Sequence, residues 1–156
     1  MTELDRILRH YEGVLDGDAW HGDAVWKVLG DISAAAASAR PFPTAHSIWE
    51  IVAHMIFWEG VVIQRLHGRR AGLVEELNFP LSPTPTEENW LKTLEEFRDS
   101  NQRFRTALFK LDPAKLQELT AAGKRTYYDE AHGIIEHHVY HLGQIALLKK
   151  VLDLGA

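Results

Sequence analysis

Apolar residues recur at spacings of three and four along much of the chain, which is the pattern of amphipathic helices. The first row starts at Leu4 and predicts a helix over about residues 4–15 that stops before Gly17. A shorter helix is predicted over about residues 22–29. Four alanines follow, as either a helical turn or a connector, and then Pro41 and Pro43 block helix continuation.

The longest apolar run begins just after Ser47, and it is apolar nearly all round. Ser47 and Glu50 have the S-x-x-E spacing of a capping box, so a helix is predicted from near Ser47 to residues 66–68. A helix of this kind lies in the middle of a bundle. Its few polar residues, Glu50, His54 and Glu59, therefore need partners.

Two more long helices complete the prediction. Residues 77–85 contain three prolines, and Thr86 then caps a helix that ends near residues 111–113. A polar connection leads to the last helix, over about residues 129–152. No pair of alternating strands is present, so we predict an all-α protein: an antiparallel four-helix bundle with one short extra helix after the first long helix.

Composition limits the classes of function. The 156 residues are 46% hydrophobic, which suits one domain over residues 1–156. The formal charge of -5, with no long basic block, argues against a nucleic-acid partner. The N-terminal sequence lacks a secretory pattern and the longest apolar run is too short and too charged to cross a membrane, so a cytoplasmic protein is expected. Without cysteine, any sulfur chemistry must use an external thiol.

Candidate chemistry begins with His137 and His141, which are four residues apart and share one face of the last helix. Gln144 lies on that face, whereas His138 and Tyr140 flank it at about 100° and -60° from His137. His138 is therefore a weaker ligand candidate. Two histidines at this spacing are also compatible with ordinary bundle-interior residues that bind carboxylates or water.

His54 changes this interpretation, because it is a polar residue in the most apolar helix. Three inward histidines on two helices can bind one divalent ion and leave its other positions open, as in catalytic sites. Imidazole is a ligand for zinc, nickel, iron(II) and manganese alike. Glu50 and Gln144 could orient ligands or bind a water molecule, and capping or solvent exposure explains them equally well. For Tyr140, packing is favoured over a hydrogen bond at the site.

The remaining aromatic residues and histidines are assigned to simpler roles. The aromatic residues at helical spacing are predicted to be core, namely Trp49, Phe57, Trp58, Trp90, Phe97 and Phe104. His10, His21 and His67 are predicted to be at the surface, while His46 and His132 are left open.

Residues 46–54 and 133–150 resemble the DinB/YfiT-like metal-binding four-helix bundles, which carry one metal histidine on the second long helix and an H-x-x-x-H pair on the fourth. The likeness extends to the layout of nearly the whole chain. It implies that His54, His137 and His141 are the metal ligands, usually of nickel or zinc, and that the protein is a homodimer.

Characterised members of that family include mycothiol-dependent isomerases and bacillithiol S-transferases. The resemblance therefore favours a metal-dependent enzyme that activates an external low-molecular-weight thiol for transfer to an electrophile. A metal-dependent hydrolase, in which Glu50 or Gln144 positions the attacking water, is the second hypothesis. The third is a non-catalytic, stress-related dimeric bundle that sequesters a metal or serves as a binding module.

Overall fold

The computed structural model describes residues 1–154. Within them the chain forms seven α-helices and one 3₁₀-helix (Pro113–Gln117), with no β-strand. The α-helices are α1 (Glu3–Asp16), α2 (Val25–Leu29), α3 (Ala34–Ser38), α4 (Ile48–Leu66), α5 (Glu75–Asn78), α6 (Glu87–Lys110) and α7 (Tyr127–Leu154). The four long helices pack against one another, which confirms the predicted all-α bundle.

Two of the long helices, α4 and α6, begin where capping residues predict. Ser47 Oγ accepts a hydrogen bond from the Glu50 amide, and Glu50 Oε2 accepts one from the Ser47 amide, which completes the capping box of α4. Thr86 Oγ1 likewise accepts from the Asn89 amide at the start of α6. Local side-chain chemistry therefore defines where these two helices start.

The short elements are more numerous than the sequence pattern indicates. The alanine run forms a helical turn, α3, because Ser33 caps it and Ala34 and Ala37 are buried. A second short helix, α5, lies in the connection before the three prolines. Its last residue, Asn78, contacts His54 through its backbone carbonyl.

The central helix α4 packs against α6 on one side and α7 on another, while α1 packs on α7, α2 and α6. Helices α4 and α7 are antiparallel, since Arg65 near the end of α4 contacts Glu130 near the start of α7, while His54 contacts His137. None of the helices in the described part of the chain is long and apolar enough to cross a bilayer.

In contrast, α4 and α6 run in the same direction. Trp49 Nε1 donates to Thr93 Oγ1, and ten residues later along α4, Glu59 accepts from Asn101 Nδ2. The connection over residues 67–86 makes this arrangement feasible, because 20 residues can span more than the length of α4, about 28 Å. The periodicity of apolar residues within a helix does not indicate in which direction the neighbouring helix runs.

Candidate metal centre

Three histidines from two helices converge in the groove between α4 and α7. His54 Nε2 lies 3.0 Å from His137 Nε2, and His141 Nε2 lies 3.1 Å from the same atom. The ligand nitrogens of all three lie within 4.8 Å of one another. The structure thus brings together the three residues that the sequence nominates as ligands.

The hydrogen bonds of the outer ring nitrogens determine where the lone pairs point. His54 Nδ1 donates to the carbonyl oxygen of Asn78 at 2.6 Å, and His141 Nδ1 donates to Gln144 Oε1 at 2.7 Å. Because each neutral imidazole carries one N–H, the Nε2 atoms of His54 and His141 are acceptors that face His137. His137 Nε2 can donate to one of them at a time, and its buried Nδ1 has no partner.

This donor set fits a divalent cation. Imidazole nitrogens about 2.0–2.1 Å from a tetrahedral zinc ion are about 3.3 Å apart, close to the 3.0 and 3.1 Å separations seen here. The carbonyl and amide partners on the outer nitrogens also match the contacts that orient histidine ligands in metal sites. His54, His137 and His141 would be the residues that hold the ion.

The histidines remain neutral because their surroundings disfavour the charged form. Burial, together with the neighbouring histidines, lowers the pKa of His137 to about 3. Burial also lowers the pKa of His141 to about 4, although Gln144 opposes the shift, and it lowers the pKa of His54. Neutral imidazole is the form that binds a metal ion.

Residues at the end of α5 hold His54 in place. The ring of Phe79 stacks on His54 with centroids 3.9 Å apart and on His46 with centroids 3.7 Å apart. Trp58 Nε1 donates to Asn78 Oδ1, so Asn78 is itself fixed while its carbonyl binds His54. The prediction missed Asn78 and Phe79, since they lie in a proline-rich connection with no periodic signal.

The other candidate residues have separate positions. Glu50 is buried, and its carboxylate binds the Ser47 amide and pairs with Arg40. Gln144 is bound to His141. Tyr140 is 64% exposed, with its ring edge-on to His141 at 5.0 Å between centroids.

A cavity of about 600 Å³ opens beside the three histidines, and we call it the apolar chamber. Its walls include Phe42, Ile51, Phe79, Leu147 and Leu148, with Tyr140 among the other residues that line it. No lysine or arginine of the described residues lines this chamber. It suits a small molecule that is largely apolar and uncharged.

Comparison with known families is consistent with this site. A family model described as the DinB superfamily matches residues 19–145, a range that includes His54, His137 and His141. The chain belongs to the DinB superfamily. A search of curated proteins and a search of solved structures each found no match.

In this DinB superfamily member, His138 has a role unlike that of its neighbour. It is fully buried, and its Nε2 bonds to Glu59 Oε1 at 3.0 Å, on the core side of α7. Glu59 also accepts hydrogen bonds from Tyr11 and Asn101. Burial raises the pKa of Glu59, but its interactions with His138, Ser100 and Tyr11 together outweigh burial, so the pKa lies below its ordinary value. These hydrogen bonds provide the partners that the sequence predicts for Glu59, the second buried carboxylate of α4.

Burial agrees with most of the remaining assignments. Trp49, Trp90, Phe97 and Phe104 are buried core residues, whereas Phe57 and Trp58 are half-buried. His10, His21 and His67 are exposed, as predicted. Of the two histidines left open, His46 stacks on Phe79 and His132 packs against Tyr128.

Proposed function

We propose that this protein is a metal-dependent enzyme that transfers a low-molecular-weight thiol to an electrophile. His54, His137 and His141 hold a divalent cation, with nickel or zinc as the proposed ion. A divalent cation at this position supplies positive charge that lowers the pKa of a nearby thiol. The thiol loses its proton to solvent, its sulfur bonds to an electrophilic carbon, and the leaving group departs with the bonding electron pair.

The observation that carries this proposal is the convergence of three Nε2 atoms beside the apolar chamber. The chamber offers space for an apolar electrophile next to the histidines. The chain has no cysteine, so the sulfur nucleophile must come from outside the protein.

The contacts of the site favour thiol transfer over hydrolysis. A hydrolase would need a side chain that positions water, and Glu50 and Gln144 are the sequence candidates. Glu50 is occupied by Ser47 and Arg40, and Gln144 Oε1 accepts from His141. The Glu50 carboxylate and the Gln144 amide oxygen are therefore already engaged and are not free to position a water molecule.

The test begins with elemental analysis of untagged protein purified without chelator, for which we expect about one metal ion per chain. The loaded protein is then screened with alkyl and aryl electrophiles. Each electrophile is tested with and without thiol, and with and without metal. We expect electrophile consumption only when thiol and metal are both present. Consumption without thiol would indicate hydrolysis, and no consumption would favour a binding bundle.

Two histidine variants identify the ligands. His54→Ala and His141→Ala should each lose most of the bound metal, because each removes one of three nitrogens. His67→Ala is the matched control, since His67 is exposed beyond the end of α4. Full metal retention in both site variants would disprove the three-histidine assignment.

We also propose that the protein forms a homodimer through the surface between α1 and α7. Trp20 is fully exposed there beside a groove of about 800 Å³ that includes Val139 and Tyr140. Exposed aromatic side chains of this kind are typical of protein interfaces. Sedimentation equilibrium should give the dimer mass, and Trp20→Ser should shift the protein toward monomer. A monomeric parent protein would contradict this proposal.

A further inference from the structure

We infer that a second cavity, on the other side of His137, binds the carboxylate-bearing part of the thiol cosubstrate. This inference rests on the proposed thiol transfer. The cavity has a volume of about 420 Å³, and we call it the charged chamber. Lys124 and Arg125 are the residues that would bind the carboxylate.

The two chambers lie along one groove and meet at His137. The charged chamber is lined by the C-terminal half of α4, including Trp58 and Arg65, and by α7 before His137. The apolar chamber is lined by the N-terminal half of α4, including Ile51 and His54, and by α7 from His137 onward. Because α4 and α7 are antiparallel, the chambers lie on opposite sides of His137, which contributes to both walls.

The charged groups of this chamber leave an excess of positive charge. Arg65 and Glu130 neutralise each other, with Arg65 Nη1 3.0 Å from both carboxylate oxygens of Glu130. Asp129 Oδ2 accepts hydrogen bonds from the backbone and the hydroxyl of Thr126. Among the described residues, no carboxylate forms an ion pair with Lys124 or Arg125. Apart from the Arg65–Glu130 pair, the chamber therefore holds two positive charges, on Lys124 and Arg125, and one negative charge, on Asp129, which already accepts hydrogen bonds from Thr126.

The absence of a side chain at Gly133 lets Arg125 lie over α7 at this point. A Cβ atom at this position would lie 3.7 Å from Arg125 Nη1, so the guanidinium lies directly over the glycine. Gly133 is one helical turn before His137 on α7. A carboxylate bound by Arg125 would thus lie within a small molecule's length of the three histidines.

We infer that each chamber binds a different substrate. A thiol with an anionic body would place its carboxylate against Lys124 and Arg125 and extend its sulfur toward His137. The electrophile would occupy the apolar chamber, where no lysine or arginine of the described residues is present. This separation would bring the sulfur and the electrophilic carbon together beside the three histidines.

The test uses S-methylglutathione as the probe, because it keeps two carboxylates but has no free thiol. Its binding to the zinc-loaded full chain is measured by titration calorimetry at low ionic strength. We expect binding that weakens with added salt, and much weaker binding of the dimethyl ester, in which the carboxylates are uncharged. Equal binding of the ester would overturn the inference.

Variants then locate the probe. The double variant Lys124→Gln, Arg125→Gln should weaken binding about tenfold, the change expected for losing two exposed ion pairs. The control is Arg103→Gln, Lys110→Gln, which removes the same charge from exposed positions on α6. Gly133→Leu should also weaken binding, because a side chain that extends beyond the Cβ position, 3.7 Å from Arg125 Nη1, would displace the guanidinium. Equal losses in the control, or none in either site variant, would overturn the inference.

The experiment separates this inference from the proposed function. Loss of probe binding in the double variant, without thiol-dependent turnover in the parent, would support the charged chamber and reject thiol transfer. Conversely, metal-dependent turnover with 2-mercaptoethanol and no binding of S-methylglutathione would support thiol transfer and reject the charged chamber.

Discussion

At the scale of single residues, the state of the three histidines depends on burial. Their pKa values lie below the ordinary value of 6.5, at about 3 for His137 and about 4 for His141. In the unfolded chain these residues would titrate near 6.5. The unfolded state therefore binds more protons than the folded state between about pH 6.5 and pH 4.

This difference predicts that the metal-free protein loses stability as the pH falls from about 6.5 toward 4, because protons favour the state that binds more of them. Urea denaturation at pH 7, 6 and 5 measures the effect. His137→Gln should make the dependence on pH shallower, since one of the shifted groups is gone. His67→Gln, at an exposed position, should behave like the parent. A slope in His137→Gln as steep as in the parent would contradict the prediction.

A second residue-scale feature is the fully buried Glu59. Its carboxylate receives hydrogen bonds from Tyr11, Asn101 and His138, so three buried polar side chains converge on it in the core. Removing the carboxylate leaves three buried polar groups without their partner. The cost of breaking such a network is far larger than that of losing a surface contact.

Glu59→Ala should accordingly destabilise the protein by about 3–5 kcal/mol. The free energy of unfolding from urea titration checks this value. Glu95→Ala is the matched control on the exposed face of α6, and little change is expected there. If both variants unfold at the same urea concentration as the parent, the network does not stabilise the fold.

At the scale of elements, the helix bounds follow closely from local signals. The predicted starts near Ser47 and Thr86 match α4 and α6, because a capping side chain acts on the turn beside it. Short α5 was missed, since four residues cannot display a helical period. Its position next to His54 depends on contacts across 20 or more residues of sequence.

The α5 region should tune metal binding through Phe79. Phe79→Ala removes the ring that stacks on His54, so His54 becomes freer to rotate and the affinity for metal should fall about tenfold. Competition with a chromophoric chelator measures this affinity. Phe109→Ala, on the exposed side of α6, serves as the control. Unchanged affinity in Phe79→Ala would show that the stack does not orient the ligand.

At the scale of the whole molecule, three polar contacts join α4 and α7. Arg65 pairs with Glu130 and His54 meets His137 in the groove between the two helices, and Glu59 binds His138 on the core side of α7. A metal ion bound by His54, His137 and His141 would add a further link between the two helices. Metal binding should therefore be coupled to folding.

Metal should stabilise the folded protein in a concentration-dependent way. At a free metal concentration about 1,000 times the dissociation constant, the free energy of unfolding should rise by about 4 kcal/mol. Thermal denaturation over a series of zinc concentrations measures the rise. His54→Ala should abolish it, because one ligand is removed. An equal rise in His54→Ala would place the bound metal elsewhere.

The sequence by itself determined the long helices and the three candidate ligands. Apolar periodicity and capping residues act within a few positions, and His54, His137 and His141 stand out as polar residues on inward faces. Only the tertiary structure decided three other features. They are the contacts of His138, the contacts of Asn78 and Phe79 with His54, and the parallel course of α4 and α6. These features join residues that are far apart in the chain, and a pattern confined to one helix carries no information about which distant side chain will lie against it.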